Sequence, residues 1–180
     1  NYVKSYAIYD DRLRRSLIEE QSIVSQMNSA LESGQFEFYL QPKCSIDTGN
    51  IVGAEALVRW RHPMKGLISP GKFIPVFEKN GFILKLDVYI WESVCKLLRQ
   101  WIDEGRQPMP ISVNVSRINL YNPKLCDILI GLVEKYQLEP YLLELELTES
   151  AYTENEKLLV SIIERLRGYG FRILMDDFGS

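Results

Sequence analysis

Histidine and cysteine are scarce in this chain, and their scarcity excludes several classes of site. His62 is the one histidine among 180 residues, so neither a Ser-His-Asp triad nor a histidine-rich zinc site can be assembled within the chain. The three cysteines, Cys44, Cys95 and Cys126, are far apart and odd in number. They therefore form neither a disulfide framework nor a CxxC metal site, and we expect buried free thiols. Any chemistry must depend on carboxylates, amides and bound metals.

Long apolar runs and a basic face are also missing. No apolar run approaches the ~20 residues that cross a bilayer, and residues 1–15 lack the apolar stretch of a secretory signal. We therefore expect a cytoplasmic chain without a transmembrane segment, in a parent protein that other domains could attach to a membrane. The formal net charge of -3 argues against a nucleic-acid polymer as partner and leaves a small anionic ligand open.

The composition is that of a globular domain, with 46% hydrophobic and 25% charged residues. The apolar spacing predicts a helix over about 11–33. Two strand-like runs separated by a turn at 47–50 predict an antiparallel hairpin. The hairpin is followed by a loop rich in proline and glycine and by a short helix near 71–79. A longer helix comes next, and its apolar stripe runs from Ile83 to Trp101.

From Ile111 onward the pattern alternates between strand and helix. The strand-like runs are ISVNVS, LLELELTES and FRILMDDFG. One intervening helix is predicted to open at Asn122-Pro123, and the other at Thr153, where Glu156 completes a capping box. Strands that alternate with amphipathic helices predict an α/β fold with a parallel sheet that is closed or covered by helices.

Oxygen-bearing side chains stand near the ends of four strand-like runs. They are Glu55, Asn114, Glu146 and Asp176, the last followed by Asp177. Their separations of 59, 32 and 30 residues fit units of one strand and one helix, each about 30 residues long. Parallel strands joined by right-handed crossovers point the same way, so these oxygens could converge on one hard cation or a pair of cations.

Each pattern taken alone has another explanation. The alternation in LLELELTES also fits an antiparallel strand with one wet face. The adjacent carboxylates Asp176 and Asp177 could form a helix cap or an acidic turn. Glu55 and Arg59 lie four residues apart and share a face of the strand. They could be a metal ligand and a phosphate-binding guanidinium, respectively, or they could form a cross-strand salt bridge.

Together these segments resemble a known family. The motifs are Gln41-Pro42, Glu55-Ala56-Leu57 followed by Arg59, Ser112-Val113-Asn114, Glu146-Leu147-Thr148-Glu149 and Asp176-Asp177-Phe178-Gly179. In this order they resemble the EAL domain, a bacterial cyclic di-GMP phosphodiesterase family, from about Phe36 to the last residue. The resemblance implies a TIM-type (β/α)8 barrel with an antiparallel first strand, of which about five of the eight strands are present. Residues 35–180 would be the N-terminal part of this barrel, and residues 1–34 a connector helix from an upstream GGDEF-type or sensor domain.

The resemblance also implies roles for individual residues and a metal-dependent hydrolysis of cyclic di-GMP to linear pGpG. Mg²⁺ or Mn²⁺ would be held in a two-metal site, with Asp176 shared between the ions. The implied metal ligands are Glu55, Asn114, Glu146, Asp176 and Asp177, the implied dinucleotide contacts are Gln41, Leu57 and Arg59, and Glu149 would steady a loop beside the metals. The alternative is a receptor or interaction scaffold that does not hydrolyse the dinucleotide.

A complete barrel of this type needs about 250 residues. We therefore expect this sequence to be a fragment that lacks the family's later lysine, glutamate and glutamine, and to be inactive or nearly so by itself. The last strand would expose unpaired backbone groups, which favour pairing with another chain in a homodimer or an edge-paired assembly.

Overall fold

The computed structural model describes residues 11–148 and 156–176. In chain order the elements are α1 Asp11–Glu32, β1 Phe36–Cys44, β2 Ile51–His62, β3 Gly66–Ile68, α2 Pro70–Asn80, α3 Ile83–Asp103, β4 Ile111–Asn114, α4 Arg117–Leu120, α5 Leu125–Lys135, a 3-10 turn Pro140–Leu142, β5 Leu143–Thr148, α6 Glu156–Tyr169 and β6 Ile173–Asp176. Within the described ranges, no helix is both long enough and apolar enough to cross a membrane.

The strands form one mixed sheet in the order β1-β2-β4-β5-β6, and β3 pairs with the end of β2. β1 is antiparallel to β2, whereas β2, β4, β5 and β6 are parallel to one another. The predicted hairpin is confirmed, and its turn is closed by hydrogen bonds from the backbone N–H of Ser45 to the Asn50 carbonyl and from that of Gly49 to the Ser45 carbonyl. The predicted parallel sheet is confirmed as well.

The two faces of the sheet differ because successive side chains on a strand point to opposite sides. On β5 the residues Leu143, Leu145 and Leu147 are buried in the hydrophobic core, to which α3, α5 and α6 contribute. The intervening Glu144 and Glu146 point to the other face. Polar side chains therefore lie together on the face that does not bury the leucines.

Five aromatic residues form a cluster at the β1, β2 and α2 end of the core. They are Phe36, Trp60, Phe73, Phe77 and Phe82, and all are buried. The closest pair of ring centroids, Phe77 and Phe82, lies 4.8 Å apart, and Phe36 lies 5.1 Å from Trp60. These separations are typical of stabilising tilted and edge-to-face pairs, so the cluster joins the hairpin firmly to α2.

The described part of α1 packs against this domain. Ile23 and Ala30 are buried in the core, and His62 at the end of β2 lies with Nε2 2.5 Å from Gln26 Oε1. His62 Nδ1 accepts hydrogen bonds from the backbone of the β2–β3 turn, so Nε2 carries the proton and donates a hydrogen bond to Gln26 Oε1. The role of residues 1–34 as a connector stays a prediction.

Several details differ from the sequence-based expectations. Cys44 is exposed instead of buried, whereas Cys95 and Cys126 are buried as expected. The helix predicted to open at Asn122-Pro123 begins at Leu125, because Asn122 Oδ1 accepts a hydrogen bond from the Lys124 N–H and forms an Asx turn instead of a helix cap. The short β3 lies in a segment predicted as a loop, and the single turn α4 was not predicted. The capping residue Thr153 lies outside the described residues.

Candidate active site

Four of the predicted metal ligands lie on four neighbouring parallel strands. Glu55 is on β2, Asn114 ends β4, Glu146 is on β5 and Asp176 ends β6. Asn114 is directly opposite Glu146 in the β4–β5 register. Asp176 is opposite Thr148, the second residue after Glu146. The topology thus places each of the four residues within two register positions of the next one on the adjacent strand.

Glu55 and Asn114 are in direct contact. The Asn114 Nδ2 donates a hydrogen bond to Glu55 Oε1 over 3.2 Å, although the residues are 59 positions apart in sequence. Rotation of the amide by half a turn would bring its oxygen, instead of its nitrogen, beside the carboxylate. Two oxygens at that separation repel each other unless a cation lies between them, so the pair fits a hard divalent ion.

Glu146 is almost fully buried, with 6% of its surface exposed, and it forms an ion pair with Lys43. The Lys43 Nζ lies 2.5 Å from Glu146 Oε1, so a buried carboxylate already has a cation beside it. Sequence reasoning missed Lys43. Lys43 could have been found from the sequence because it follows Gln41 by two residues, which puts both side chains on one face of β1.

The remaining acidic residues of the predicted site are only partly described. The backbone of Asp176 ends β6, whereas Asp177 and Glu149 lie outside the described residues. Across residues 11–148 and 156–176, no three histidine, cysteine or acidic side chains converge as a metal-binding group. The two residues in contact, Glu55 and Asn114, carry a carboxylate and an amide oxygen, which suit Mg²⁺ or Mn²⁺ better than softer ions.

The hairpin brings the predicted dinucleotide contacts Gln41 and Leu57 beside Glu55. Gln41 is directly opposite Glu55 in the antiparallel register, and Leu57 follows Glu55 by two residues on the same face of β2. A ligand bound over Glu55 would therefore meet side chains from both strands of the hairpin.

Arg59 lies further along the same face of β2. Its Nη1 donates a hydrogen bond to the Val58 carbonyl over 2.8 Å, and its guanidinium carbon lies 5.8 Å from the centre of the Tyr39 ring. The neighbouring carboxylate of Glu37 pairs instead with Arg61, at 2.7 Å. Among the contacts of the described residues Arg59 has no ion pair, so the salt bridge considered from sequence is not formed there.

Two residues of α3, one turn apart, hold the segment that follows β4. The indole Nε1 of Trp91 donates to the Asn114 carbonyl over 3.0 Å. The buried Asp87 accepts hydrogen bonds from the Ser116 N–H over 3.1 Å and from Asn119 Nδ2 over 2.7 Å. Burial raises the pKa of Asp87 to about 6, even though these hydrogen bonds favour its charged form. Sequence reasoning missed both residues, although an aspartate on an apolar helix face was a usable signal.

A cavity of about 660 Å³ opens beside Asn114, between α2, α3 and the segment after β4. Its volume is in the range of small-molecule sites, ~300–1,000 Å³. The charged side chains that line it are Glu78, Lys79, Asp87 and Arg117. The recess next to Asn114 therefore carries charges of both signs.

Comparison with known proteins agrees with this geometry. The sequence model of the EAL domain matches residues 24–180. MucR of Pseudomonas aeruginosa, named a bifunctional diguanylate cyclase/cyclic di-GMP phosphodiesterase, is 33% identical over 175 residues, which cover 97% of this chain and 26% of MucR. NbdA of the same species, named a cyclic di-GMP phosphodiesterase, is 35% identical over 162 residues, which cover 90% of this chain and 21% of NbdA.

A solved structure of the MucR phosphodiesterase in complex with c-di-GMP superposes with a TM-score of 0.84 at 35% identity, covering 88% of this chain and 64% of that one. The match confirms the predicted fold class, an α/β barrel of TIM type with an antiparallel first strand, of which this chain forms a part. The chain spans about a quarter of the two curated relatives. It belongs to the EAL domain family.

Proposed function

We propose that the protein in which these residues occur hydrolyses cyclic di-GMP to linear pGpG with the help of divalent cations. The observation that carries the proposal is the convergence of Glu55, Asn114 and Glu146 at one edge of a parallel sheet, with Glu55 and Asn114 3.2 Å apart. The names of MucR and NbdA, and the dinucleotide in the MucR complex, support the same substrate.

The metal site is proposed to use both acidic and amide oxygens. Bound Mg²⁺ or Mn²⁺ would stabilise negative charge on the attacked phosphodiester and lower the pKa of a water molecule. The proposed ligands of a first ion are Glu55, Asn114, Glu146 and Asp176, and Asp177 is proposed to reach a second ion that shares Asp176. Glu55, Asn114, Glu146 and Asp176 each come from a different strand of the sheet, and Asp177 follows Asp176 directly.

The hairpin is proposed to hold the dinucleotide. Arg59 would bind a phosphodiester oxygen through its guanidinium, which presents several N–H donors in one plane. Gln41 would donate a hydrogen bond, and Leu57 would pack against the ligand. Glu149 is proposed to steady a loop beside the metals, and this role depends on the family resemblance alone.

The surroundings of the catalytic unit are part of the same proposal. We propose that α1 connects residues 35–180 to an upstream GGDEF-type or sensor domain, since the named function of MucR combines a cyclase with a phosphodiesterase.

In the described sheet β6 pairs only with β5, so its other edge is open to a homodimeric or edge-paired contact. With that edge open, the 180 residues alone are proposed to be inactive or nearly so. Three free cysteines support a cytoplasmic location.

The direct test is incubation of the whole protein with cyclic di-GMP and Mg²⁺ or Mn²⁺, followed by chromatography of the nucleotides. We expect linear pGpG, and no product after chelation of the metal. Glu146→Gln should lower the rate by about a hundredfold or more, because it removes a charged metal ligand. The matched control is Glu144→Gln on the same face of β5, where Glu144 faces Arg172 at 3.5 Å, and it should retain most activity.

Calorimetric titration with and without metal separates the alternatives. Binding of cyclic di-GMP by the wild-type protein without hydrolysis would favour a receptor, and no binding would favour an interaction scaffold. Either result would contradict the proposed phosphodiesterase, whereas full activity in Glu146→Gln would contradict the role of Glu146 as a metal ligand.

A further inference from the structure

The ion pair between Lys43 and Glu146 links the two ends of the polar face. Lys43 is on β1 and Glu146 on β5, with β2 and β4 between them in the sheet. Their Nζ and Oε1 atoms are nevertheless 2.5 Å apart. Three strand spacings of ~4.8 Å separate such strands in a flat sheet. The sheet is therefore curled so that its polar face is concave and the two side chains meet across it.

The position of Lys43 suits a side chain aimed across this face. The β1–β2 register shifts between Lys43 and Cys44, and a bulge of this kind redirects a side chain. The residue opposite Lys43 on β2 is Gly53, which has no side chain to block its path. The lysine side chain keeps 29% of its surface exposed, whereas that of Glu146 keeps 8%. The ammonium group can thus leave toward solvent while the carboxylate stays in place.

A lysine and a divalent cation cannot occupy the same side of Glu146 together. Both would lie within a few ångströms of the carboxylate, and like charges at that distance repel strongly in a partly buried site. The lysine satisfies the carboxylate when no metal is bound, because an unpaired buried carboxylate is costly. A metal ion must replace that ion pair before it can bind Glu146 Oε1, the oxygen that Lys43 contacts.

We propose that Lys43 is the internal counter-ion of Glu146 and that a bound divalent cation displaces it, so that Lys43 sets the metal affinity of the site. This inference rests on the proposed function, because it takes Glu146 as a metal ligand. In the metal-free protein, Lys43 compensates the charge of the Glu146 carboxylate and holds it in place. Removal of the lysine charge leaves Glu146 unpaired in the metal-free state and makes metal binding more favourable.

The test measures Mn²⁺ binding to the whole protein in which these residues occur, by the electron paramagnetic resonance signal of free Mn²⁺ and without substrate. Lys43→Met should bind Mn²⁺ more tightly than wild type by about tenfold to a hundredfold, which corresponds to the loss of one charge-assisted hydrogen bond from the metal-free state. Lys43→Arg keeps the charge and should stay within about threefold of wild type. Lys72→Met is the matched control, because it removes an equal charge from an exposed pair with Glu19 at 2.7 Å, and its affinity should not change.

Circular dichroism checks that each variant is folded, and Lys43→Gln, which keeps a hydrogen-bond donor for Glu146, replaces Lys43→Met if the latter unfolds. Unchanged or weaker Mn²⁺ binding in the folded neutral variant would overturn the role of Lys43 and leave the proposed phosphodiesterase intact. If wild type and every variant bind no Mn²⁺, both the inference and the proposed metal site are wrong.

Discussion

Asp87→Asn is expected to stabilise the protein at neutral pH, because the native carboxylate is buried. Burial raises its folded-state pKa from 3.8 to about 6. Below pH 3.8 the carboxyl group is protonated in both the folded and unfolded states. Between the two pKa values only the folded state retains the proton, so the free energy of unfolding falls as the pH rises through this window.

The size of the effect follows from the two pKa values. They differ by about two, and at 1.36 kcal/mol for each pKa unit the charged carboxylate costs about 3 kcal/mol above pH 6. Asparagine keeps an oxygen that can accept hydrogen bonds from the Ser116 N–H and from Asn119, and it carries no charge. The free energy of unfolding at pH 7 should therefore rise by up to about 3 kcal/mol.

Urea unfolding of wild type and Asp87→Asn between pH 4 and pH 8, followed by circular dichroism, measures this difference. The two proteins should have similar stability near pH 4 and diverge as the pH rises. Asp103→Asn is the control on the same helix, since Asp103 is exposed and pairs with Arg99 one turn away, and it should change stability by no more than about 0.5 kcal/mol. A loss of stability in Asp87→Asn at pH 7 would refute the reasoning, because it would mean that the hydrogen bonds to the charge outweigh its burial.

Further predictions concern the backbone around the site. Trp91→Phe removes the hydrogen bond to the Asn114 carbonyl and should cost about 1–3 kcal/mol in urea unfolding, and Mn²⁺ binding should weaken; unchanged metal affinity would exclude a positioning role for the indole. Gly53→Ala would put its Cβ 2.9 Å from the Pro110 carbonyl oxygen and should destabilise the protein by about 1–3 kcal/mol. Gly131→Ala lies within α5, where nothing outside the helix's own backbone is within 4 Å of the new Cβ, so it should stabilise the protein by about 0.5–1 kcal/mol. Equal effects of the two alanine substitutions on stability would contradict the steric argument.

The parts of the fold that local patterns specify could be predicted from the sequence. The turn at 47–50 and the runs on either side predict the hairpin, since the signal lies within a few residues. The spacing of Glu55, Asn114 and Glu146 predicts their convergence, because parallel strands with regular crossovers repeat the same orientation. The structure agrees in register and in the contact between Glu55 and Asn114.

Contacts that depend on the curl of the sheet or on helix packing could not be predicted in this way. Lys43 and Glu146 are 103 residues apart, and their pairing needs the concave face that only the assembled strands create. Asp87 and Trp91 look like members of an amphipathic helix in sequence. Their hydrogen bonds to the segment after β4 follow from where α3 packs, which no local pattern encodes.

The aromatic cluster has a consequence for the affinity of the hairpin for an anion. Trp60 packs among three phenylalanine rings on one side of β2, and Arg59 extends from the same stretch of backbone on the other side. The Tyr39 ring further narrows the range of rotamers open to the guanidinium. Because ordering a long side chain costs conformational entropy, an arginine on so rigid a support would have less freedom to lose on binding the proposed phosphodiester. The phenylalanine and tryptophan side chains of the core thus help to preorganise the Arg59 guanidinium from the opposite face of β2.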